Sequence, residues 1–190
     1  AAMSVTRSGS GRPGASSALA TEHATTAREL LIEGDTCWRR AHADRAAVLI
    51  DAASYFEALR ASLLEAQRTI FILGWELHSR MRLEGKDRPR DGAPLELGKL
   101  LRSLLKRRPE LQIRILLWNH PVLYSIQREF FPRWIFGTRK PERVEILLDS
   151  HLPLGASHHE KLVVIDDRVA YCGGVDLTVR RWDVAAHHPA

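Results

Sequence analysis

The amino-acid sequence predicts an α/β fold, with a mixed β-sheet flanked by helices on both faces. Two observations carry this prediction: an apolar run of strand length follows an amphipathic helical segment, and the same order of helix and strand then occurs a second time. The chain has 190 residues, of which 45% are hydrophobic and 27% are charged. This composition is typical of one ordinary globular domain.

The first 27 residues are predicted to be a disordered leader, and residues 28–190 to form the domain. Residues 1–24 are rich in Ala, Ser and Gly without a continuous apolar run, so they do not resemble a signal peptide. No segment approaches the roughly 18 apolar residues of a membrane span, so we expect a cytoplasmic or peripheral-membrane location. The net charge of +5 suits an anionic partner such as a phosphate ester, nucleic acid or membrane surface.

The elements are predicted in the following order. Residues 36–51 suit two short strands around a polar turn, although their alternation is incomplete. Asp51 is placed to cap a helix whose apolar residues recur at spacings of three and four, namely Ala52, Phe56, Leu59, Leu63 and Ala66. Residues 69–75 read TIFILGW, an apolar run that suits a strand buried on both faces.

A second helix and strand repeat this order. Residues 94–108 place five leucines on one helical face: Leu97, Leu100, Leu101, Leu104 and Leu105. A buried strand then starts at Leu111, a short strand reads VEILLD, and residues 161–174 form two apolar runs about a tight turn. Cys37 and Cys172 lack a metal-like or redox-like spacing, so we expect free or buried thiols.

The stretch HHEKLVVIDD, residues 158–167, combines an imidazole, an ammonium and carboxylates. On a strand, His159 and Lys161 emerge on one face and Asp166 on the other, and this spacing favours His159 over His158. A neutral imidazole can attack phosphorus or transfer a proton, and an ammonium beside it can hold phosphoryl oxygens. The alternative is a solvated surface pair on an ordinary strand.

A longer pattern contains this pair. His159, Lys161 and Asp166 have the spacing HxKxxxxD, and GGVD follows from Gly173 to Asp176. The pattern resembles the signature of the phospholipase D superfamily, and HHEKLVVIDDRVAYCGGVDLTVRRWD resembles the first of two such motifs in eukaryotic-type phospholipases D and their bacterial relatives. TIFILGWELHSRMRL is similar to the early core strand of that family, so the resemblance covers roughly residues 28–183.

The resemblance implies hydrolysis or transfer at a phosphodiester through a covalent phosphohistidine, without a metal or other cofactor. One motif's histidine attacks phosphorus, the other's protonates the leaving alcohol, and both lysines bind phosphate. Carried over by position, His159 takes the histidine role and Lys161 the phosphate-binding role. Asp166 completes the catalytic signature, and we expect it to support the fold from the opposite face.

Four further residues are expected to bind substrate or support the site: Gly174, Asp176, Trp75 and Glu76. A glycine allows the backbone to approach a phosphate or a strand closely, and Asp176 stands where the family has Asn or Asp. Trp75 and Glu76 are placed to approach from a neighbouring strand end, with a core role as the alternative for Trp75. His151 is a further candidate for the pocket mouth.

Only one copy of the motif occurs in the sequence, whereas the implied mechanism needs two. The second motif is expected from a C-terminal half beyond residue 190 or, alternatively, from a second copy in a homodimer. We expect a phospholipid substrate at a peripheral membrane surface. The alternatives are a homodimeric nuclease, a cardiolipin-synthase-like transferase, or a non-catalytic lobe that binds phosphate or membrane.

The segment 120–143 interleaves aromatic and cationic side chains. Such a segment suits contact with anionic lipid headgroups. It also suits single-stranded nucleic acid, which is the less expected partner, or a helix and loop whose aromatic residues pack into the core.

Overall fold

The computed structural model describes residues 2–6, 30–84, 91–119, 141–153 and 156–187. The strands and helices in these ranges are, in chain order, β1 (Ala2–Thr6), β2 (Arg45–Leu49), α1 (Asp51–Glu65), β3 (Thr69–Gly74), α2 (Leu97–Arg107), β4 (Gln112–Trp118), a 3-10 helix (Pro141–Arg143), β5 (Val144–Asp149), β6 (Leu162–Ile165) and β7 (Val169–Gly173).

The strands form one mixed sheet in the order β2-β1-β7-β6-β3-β4-β5. Neighbours β3, β4 and β5 run parallel, and the other neighbouring pairs run antiparallel. Parallel neighbours need a crossover connection, and α2 lies in the connection between β3 and β4. The predicted α/β fold with a mixed sheet is therefore confirmed.

The apolar stripes predicted for the two helices are buried. They are Ala52, Phe56, Leu59, Leu63 and Ala66 in or directly after α1, and Leu97, Leu100, Leu101, Leu104 and Leu105 in α2. They share one core with alternate strand residues, which include Ile70, Ile72, Ile113, Ile115, Val163, Ile165 and Tyr171. Because one set of alternate residues contributes to this core, α1 and α2 pack on the same face of the sheet.

The opposite face of the sheet is less covered than the sequence predicted. In β3 the residues on this face are half-buried, and in β4 Gln112 and Arg114 are exposed. The prediction that these strands are buried on both faces is therefore wrong. Within the described ranges, helices on both faces are likewise not found, because α1 and α2 cover one face only.

Three local features differ from the sequence prediction. β1 lies within the expected leader, where it pairs with β2 on one side and with β7 on the other. Main-chain hydrogen bonds to two strands stabilise this short segment. The local sequence pattern does not predict these bonds, because both partner strands lie far away in the chain. Only β2 forms where two strands were expected. The helix α1 starts at Asp51 and its N-cap is Ile50, so Asp51 is not the cap.

The turn of the β6–β7 hairpin carries two aspartates in the left-handed region. Asp166 and Asp167 both have φ of 53°, and Asp tolerates this region better than most residues. Two consecutive positive φ values are characteristic of the primed turns that match strand twist. The hairpin aligns Leu162 with Cys172, and Gly173 donates its N–H to the Lys161 carbonyl at 3.2 Å.

Candidate active site

The motif residues before β6 lie at the edge of the sheet where β3 and β4 end. β3 and β6 are antiparallel with Leu73 opposite Leu162, so residues after β3 meet residues before β6. β4 is parallel to β3, so Trp118 at its end reaches the same edge. The carboxyl ends of parallel strands are where α/β sheets commonly bind ligands.

A buried ion pair forms the centre of this edge. Lys161 Nζ lies 3.2 Å from Asp176 Oδ2, and each side chain is 6% exposed. The ammonium also donates to the His159 carbonyl oxygen at 3.2 Å. Asp176 Oδ1 accepts the backbone N–H groups of Trp75 at 3.0 Å and Glu76 at 3.3 Å. The pair therefore connects the end of β3 to the backbone of His159.

The His159 side chain is exposed and contacts an indole. The rings of Trp75 and His159 meet edge to face, with centroids 5.8 Å apart and planes at 66°. Trp75 in turn stacks on Trp118, with centroids 5.6 Å apart and planes at 14°. Trp118 was not among the predicted site residues, because its position in an apolar strand run carries no signal for a site.

The residues that flank His159 do not form part of a strand. Residues 156–161 precede β6, so strand alternation does not apply to them. His158 is 9% exposed, and its Nε2 lies 2.6 Å from Glu160 Oε2. The link between His159 and Lys161 is therefore the contact from ammonium to carbonyl, rather than the shared strand face that the sequence predicted.

Asp166 lies at the other end of β6 from Lys161. Five residues of extended chain separate the two α-carbons by about 16 Å. The Asp166 carboxylate accepts the backbone N–H groups of Gln67, Arg68 and Thr69, each at 2.7 Å. Asp166 thus ties the β6–β7 turn to the start of β3, and it does not contact Lys161.

Replacing Asp166 with Ala is expected to lower the free energy of unfolding at pH 7 by about 3 kcal/mol, because hydrogen bonds to a charged group contribute about 1.5–3 kcal/mol each and are not additive. Burial raises the pKa of Asp166, but the N–H donors of Thr69, Gln67 and Arg68 outweigh it and lower the pKa. The stabilisation is therefore complete above the ordinary pKa of about 3.9 and lost as the pH falls through the folded-state value.

Denaturant unfolding of wild type and variant between pH 7 and pH 2 measures this difference. Asp167→Ala is the matched control, because Asp167 has the same φ of 53° in the same turn. At pH 7, Asp166→Ala should lower the free energy of unfolding clearly more than Asp167→Ala does. The difference between the two variants should shrink in acid. Equal costs for the two variants would contradict the role given to the Asp166 carboxylate.

Gly74, rather than Gly174, is the glycine in close contact with the site. A Cβ on Gly174 would meet no atom within 4 Å. A Cβ on Gly74 would lie 3.3 Å from the Glu76 carbonyl oxygen and 3.6 Å from Asp176 Oδ1. The close backbone approach expected at Gly174 is therefore found at the end of β3.

Tyr55 of α1 also reaches this site, which the sequence did not predict because Tyr55 only adjoins the apolar stripe of its helix. A cavity of about 10 Å³ is lined in part by Tyr55, Gly74, Glu76, Lys161 and Asp176. It has room for roughly one water molecule, so a phosphodiester would have to reach Lys161 from outside this cavity. Burial, and then the proximity of Tyr171 and Asp176, raise the pKa of Tyr55, which therefore stays a neutral phenol.

A larger cavity, of about 320 Å³, is lined by Arg82, residues 92–96 and Lys99. It includes none of the motif residues. The chemistry of the side chains, rather than cavity size, therefore identifies the candidate site.

One group in the described part of the chain has the composition of a cation site. Asp51, Asp183 and His187 each place a ligand atom within 4.8 Å of the others. Asp183 Oδ2 accepts a hydrogen bond from His187 Nδ1 at 3.0 Å, and this contact raises the pKa of His187. None of the motif residues takes part in this group, so it lies apart from the candidate site.

The predicted aromatic and basic segment lies outside the described residues up to residue 140. Arg143 is described, and its guanidinium donates to the carbonyl oxygens of Leu111 at 3.0 Å, Leu105 at 3.1 Å and Arg108. Arg143 therefore fastens the end of α2 to the sheet instead of facing a lipid or nucleic acid.

Three further residues considered in the sequence are His151, Cys37 and Cys172. His151 has a 95% exposed side chain, and its Nδ1 lies 3.7 Å from Asp149 Oδ1 beyond the end of β5. Cys37 and Cys172 are free thiols, as expected. Within the described ranges, no helix combines the length and the apolar character that crossing a membrane requires.

No family model matches the chain. Among curated proteins, phospholipase D zeta 1 of Arabidopsis thaliana is 31% identical over 142 residues, which cover 73% of this chain and 12% of that protein. Phospholipase D C of Dictyostelium discoideum is 29% identical over 136 residues, covering 70% and 8%. Phospholipase D1 of Homo sapiens is 31% identical over 150 residues, covering 73% and 13%.

The chain thus spans about an eighth or less of the length of these relatives. Their similarity nevertheless extends over most of the chain. With this similarity across plant, amoebal and animal proteins, the chain belongs to the phospholipase D superfamily and contains a phospholipase D-like domain.

Proposed function

We propose that this domain is one lobe of a phospholipase D-type phosphodiesterase or phosphatidyltransferase that acts on phosphatidyl esters such as phosphatidylcholine at a membrane surface. One observation carries the proposal: a buried lysine, held by Asp176, binds the backbone of His159 at the edge where β3 and β4 end. The relatives named phospholipase D support the choice of substrate class.

His159 is the proposed nucleophile. An unprotonated nitrogen of its ring attacks phosphorus, and a P–N bond forms as the P–O bond to the headgroup alcohol breaks. The leaving oxygen takes its proton from the imidazole of a second motif. That imidazole then accepts a proton from water or an acceptor alcohol, which attacks phosphorus, breaks the P–N bond and restores His159.

Lys161 is the proposed phosphate-binding residue. An ammonium has three N–H donors, and its contacts with Asp176 and the His159 carbonyl account for two of them. A third donor can hold a phosphoryl oxygen as negative charge develops there. Asp176 has the supporting role of fixing the ammonium, and Asp166 supports the fold.

The proposed mechanism requires a second motif, because a second imidazole must stand in line with the leaving oxygen. We propose that it comes from a C-terminal half of the same polypeptide, which the greater length of the relatives favours. A second copy of the chain in a homodimer is the alternative.

Headgroup release tests this proposal. The 190-residue chain and a longer polypeptide with a second HxKxxxxD motif are each incubated with phosphatidylcholine vesicles and with plasmid DNA. Choline release by the two-motif polypeptide and none by the monomeric chain is the expected result.

Each other outcome has a distinct meaning. Choline release by a strictly monomeric chain would show that no second motif is needed. Cleavage of DNA without action on vesicles would replace the lipid proposal by a nuclease. Vesicle binding without turnover by either polypeptide would leave a non-catalytic lobe.

A further inference from the structure

We infer that Trp118 is a positioning residue for His159 and that it acts through Trp75. The inference rests on the proposed role of His159 in phosphoryl transfer. Two contacts in series carry it: the Trp118 indole stacks on Trp75 at 5.6 Å and 14°, and Trp75 meets the His159 ring edge to face at 5.8 Å and 66°.

The register of the sheet creates the indole pair. Gly74 of β3 is aligned with Leu117 of β4, so the next residues, Trp75 and Trp118, lie side by side where the two parallel strands end. Trp118 is still within β4 and pairs with Asp149 of β5. Trp75 lies beyond the end of β3. The sheet therefore fixes the backbone of Trp118, and Asp176 Oδ1 holds the backbone N–H of Trp75 at 3.0 Å.

Neither indole belongs to the hydrophobic core of the described residues. That core takes Leu117 from the end of β4, on the face that α1 and α2 cover. Trp75 and Trp118 are half-buried. The stacked pair therefore lies outside that core, with Trp75 in contact with the His159 ring.

Within the described part of the chain, the contact with Trp75 is the one that bears on the orientation of the His159 ring. His159 lies in the segment 156–161 before β6, and its side chain is exposed. Lys161 binds the backbone carbonyl oxygen of His159, and this contact does not itself orient the ring. An edge-to-face aromatic contact favours one ring orientation, and attack on phosphorus requires the reacting atoms about 3–3.5 Å apart and aligned.

The test compares Trp118→Leu, which removes the stack, with Trp118→Phe, which keeps an aromatic face. Trp38→Leu is the matched control, because the Trp38 side chain is exposed. The first measurement is the NMR signal of the His159 ring protons in the 190-residue chain, assigned by its loss in His159→Gln. Trp118→Leu should move this signal toward that of a solvated histidine, and the other two variants should leave it in place.

The second measurement is turnover by the polypeptide that carries both motifs. Trp118→Leu should lower kcat by about tenfold while KM stays within about twofold. This loss is smaller than the roughly 10²-fold that a misplacement of about 1 Å can cost, because the reacting group itself remains. Trp118→Phe should recover most of kcat.

The two measurements separate the possible failures. An unchanged His159 signal in Trp118→Leu overturns the inference, whether or not the wild type is active. A wild type without turnover refutes the proposed function and leaves the NMR comparison valid. Should Trp118→Leu not fold, Trp118→Tyr and Trp118→Met replace it, and equal His159 signals in these two variants would also overturn the inference.

Discussion

Replacing His159 with Gln should reduce phosphodiester turnover by the two-motif polypeptide at least about 10⁴-fold. A carboxamide has no nucleophilic nitrogen, so the P–N bond cannot form, and loss of a nucleophile typically removes nearly all of the catalysed rate. The change should not disturb folding, because the His159 side chain is exposed. Choline release from phosphatidylcholine vesicles measures the effect.

His151→Gln is the matched control for this variant. His151 is another exposed histidine at a strand end, outside the motif. Its replacement should leave turnover within about twofold of wild type, as expected for a surface side chain away from the reaction. A second measurement traps the intermediate by rapid quenching with labelled phospholipid. Label on His159 supports the nucleophile assignment, and label only on another residue would reassign His159 to proton transfer.

Replacing Lys161 with Met should lower the free energy of unfolding by about 3–5 kcal/mol, because removal of one partner leaves the other charge buried. Asp176 would keep the N–H groups of Trp75 and Glu76 but lose its ammonium. Turnover should also disappear, because the phosphoryl oxygens lose their proposed cation. Denaturant unfolding and vesicle assays measure the two effects separately.

Two further variants separate stability from catalysis. In Lys161→Met combined with Asp176→Asn, a neutral amide still accepts the two backbone N–H groups, so most of the stability should return while turnover stays lost. Lys99→Met is the control for an exposed pair: its Nζ lies 2.7 Å from Glu96 Oε1 with 57% of the lysine exposed, and its loss should cost less than about 1 kcal/mol. Equal losses of unfolding free energy in Lys161→Met and Lys99→Met would contradict the prediction that burial makes the Lys161–Asp176 pair more important for stability.

Local periodicity accounts for the part of the fold that the sequence predicted correctly. The stripes of α1 and α2, the strand runs at residues 69–75 and 111–119 and the hairpin after Lys161 are all patterns within one element. β1 is different, because its stability comes from pairing with β2 and β7, which lie far away in the sequence. Nor could periodicity show that α1 and α2 share one face.

The same distinction between local and long-range features applies to the candidate site. By itself, the sequence determined that the chain carries the HxKxxxxD pattern with His159 and Lys161, because identity and spacing are local properties. Only the tertiary structure decided which groups surround them. Asp176 pairs with Lys161, Trp118 reaches His159 through Trp75, and Asp166 binds the start of β3 instead. Sheet register, which depends on strands distant in the chain, sets these contacts.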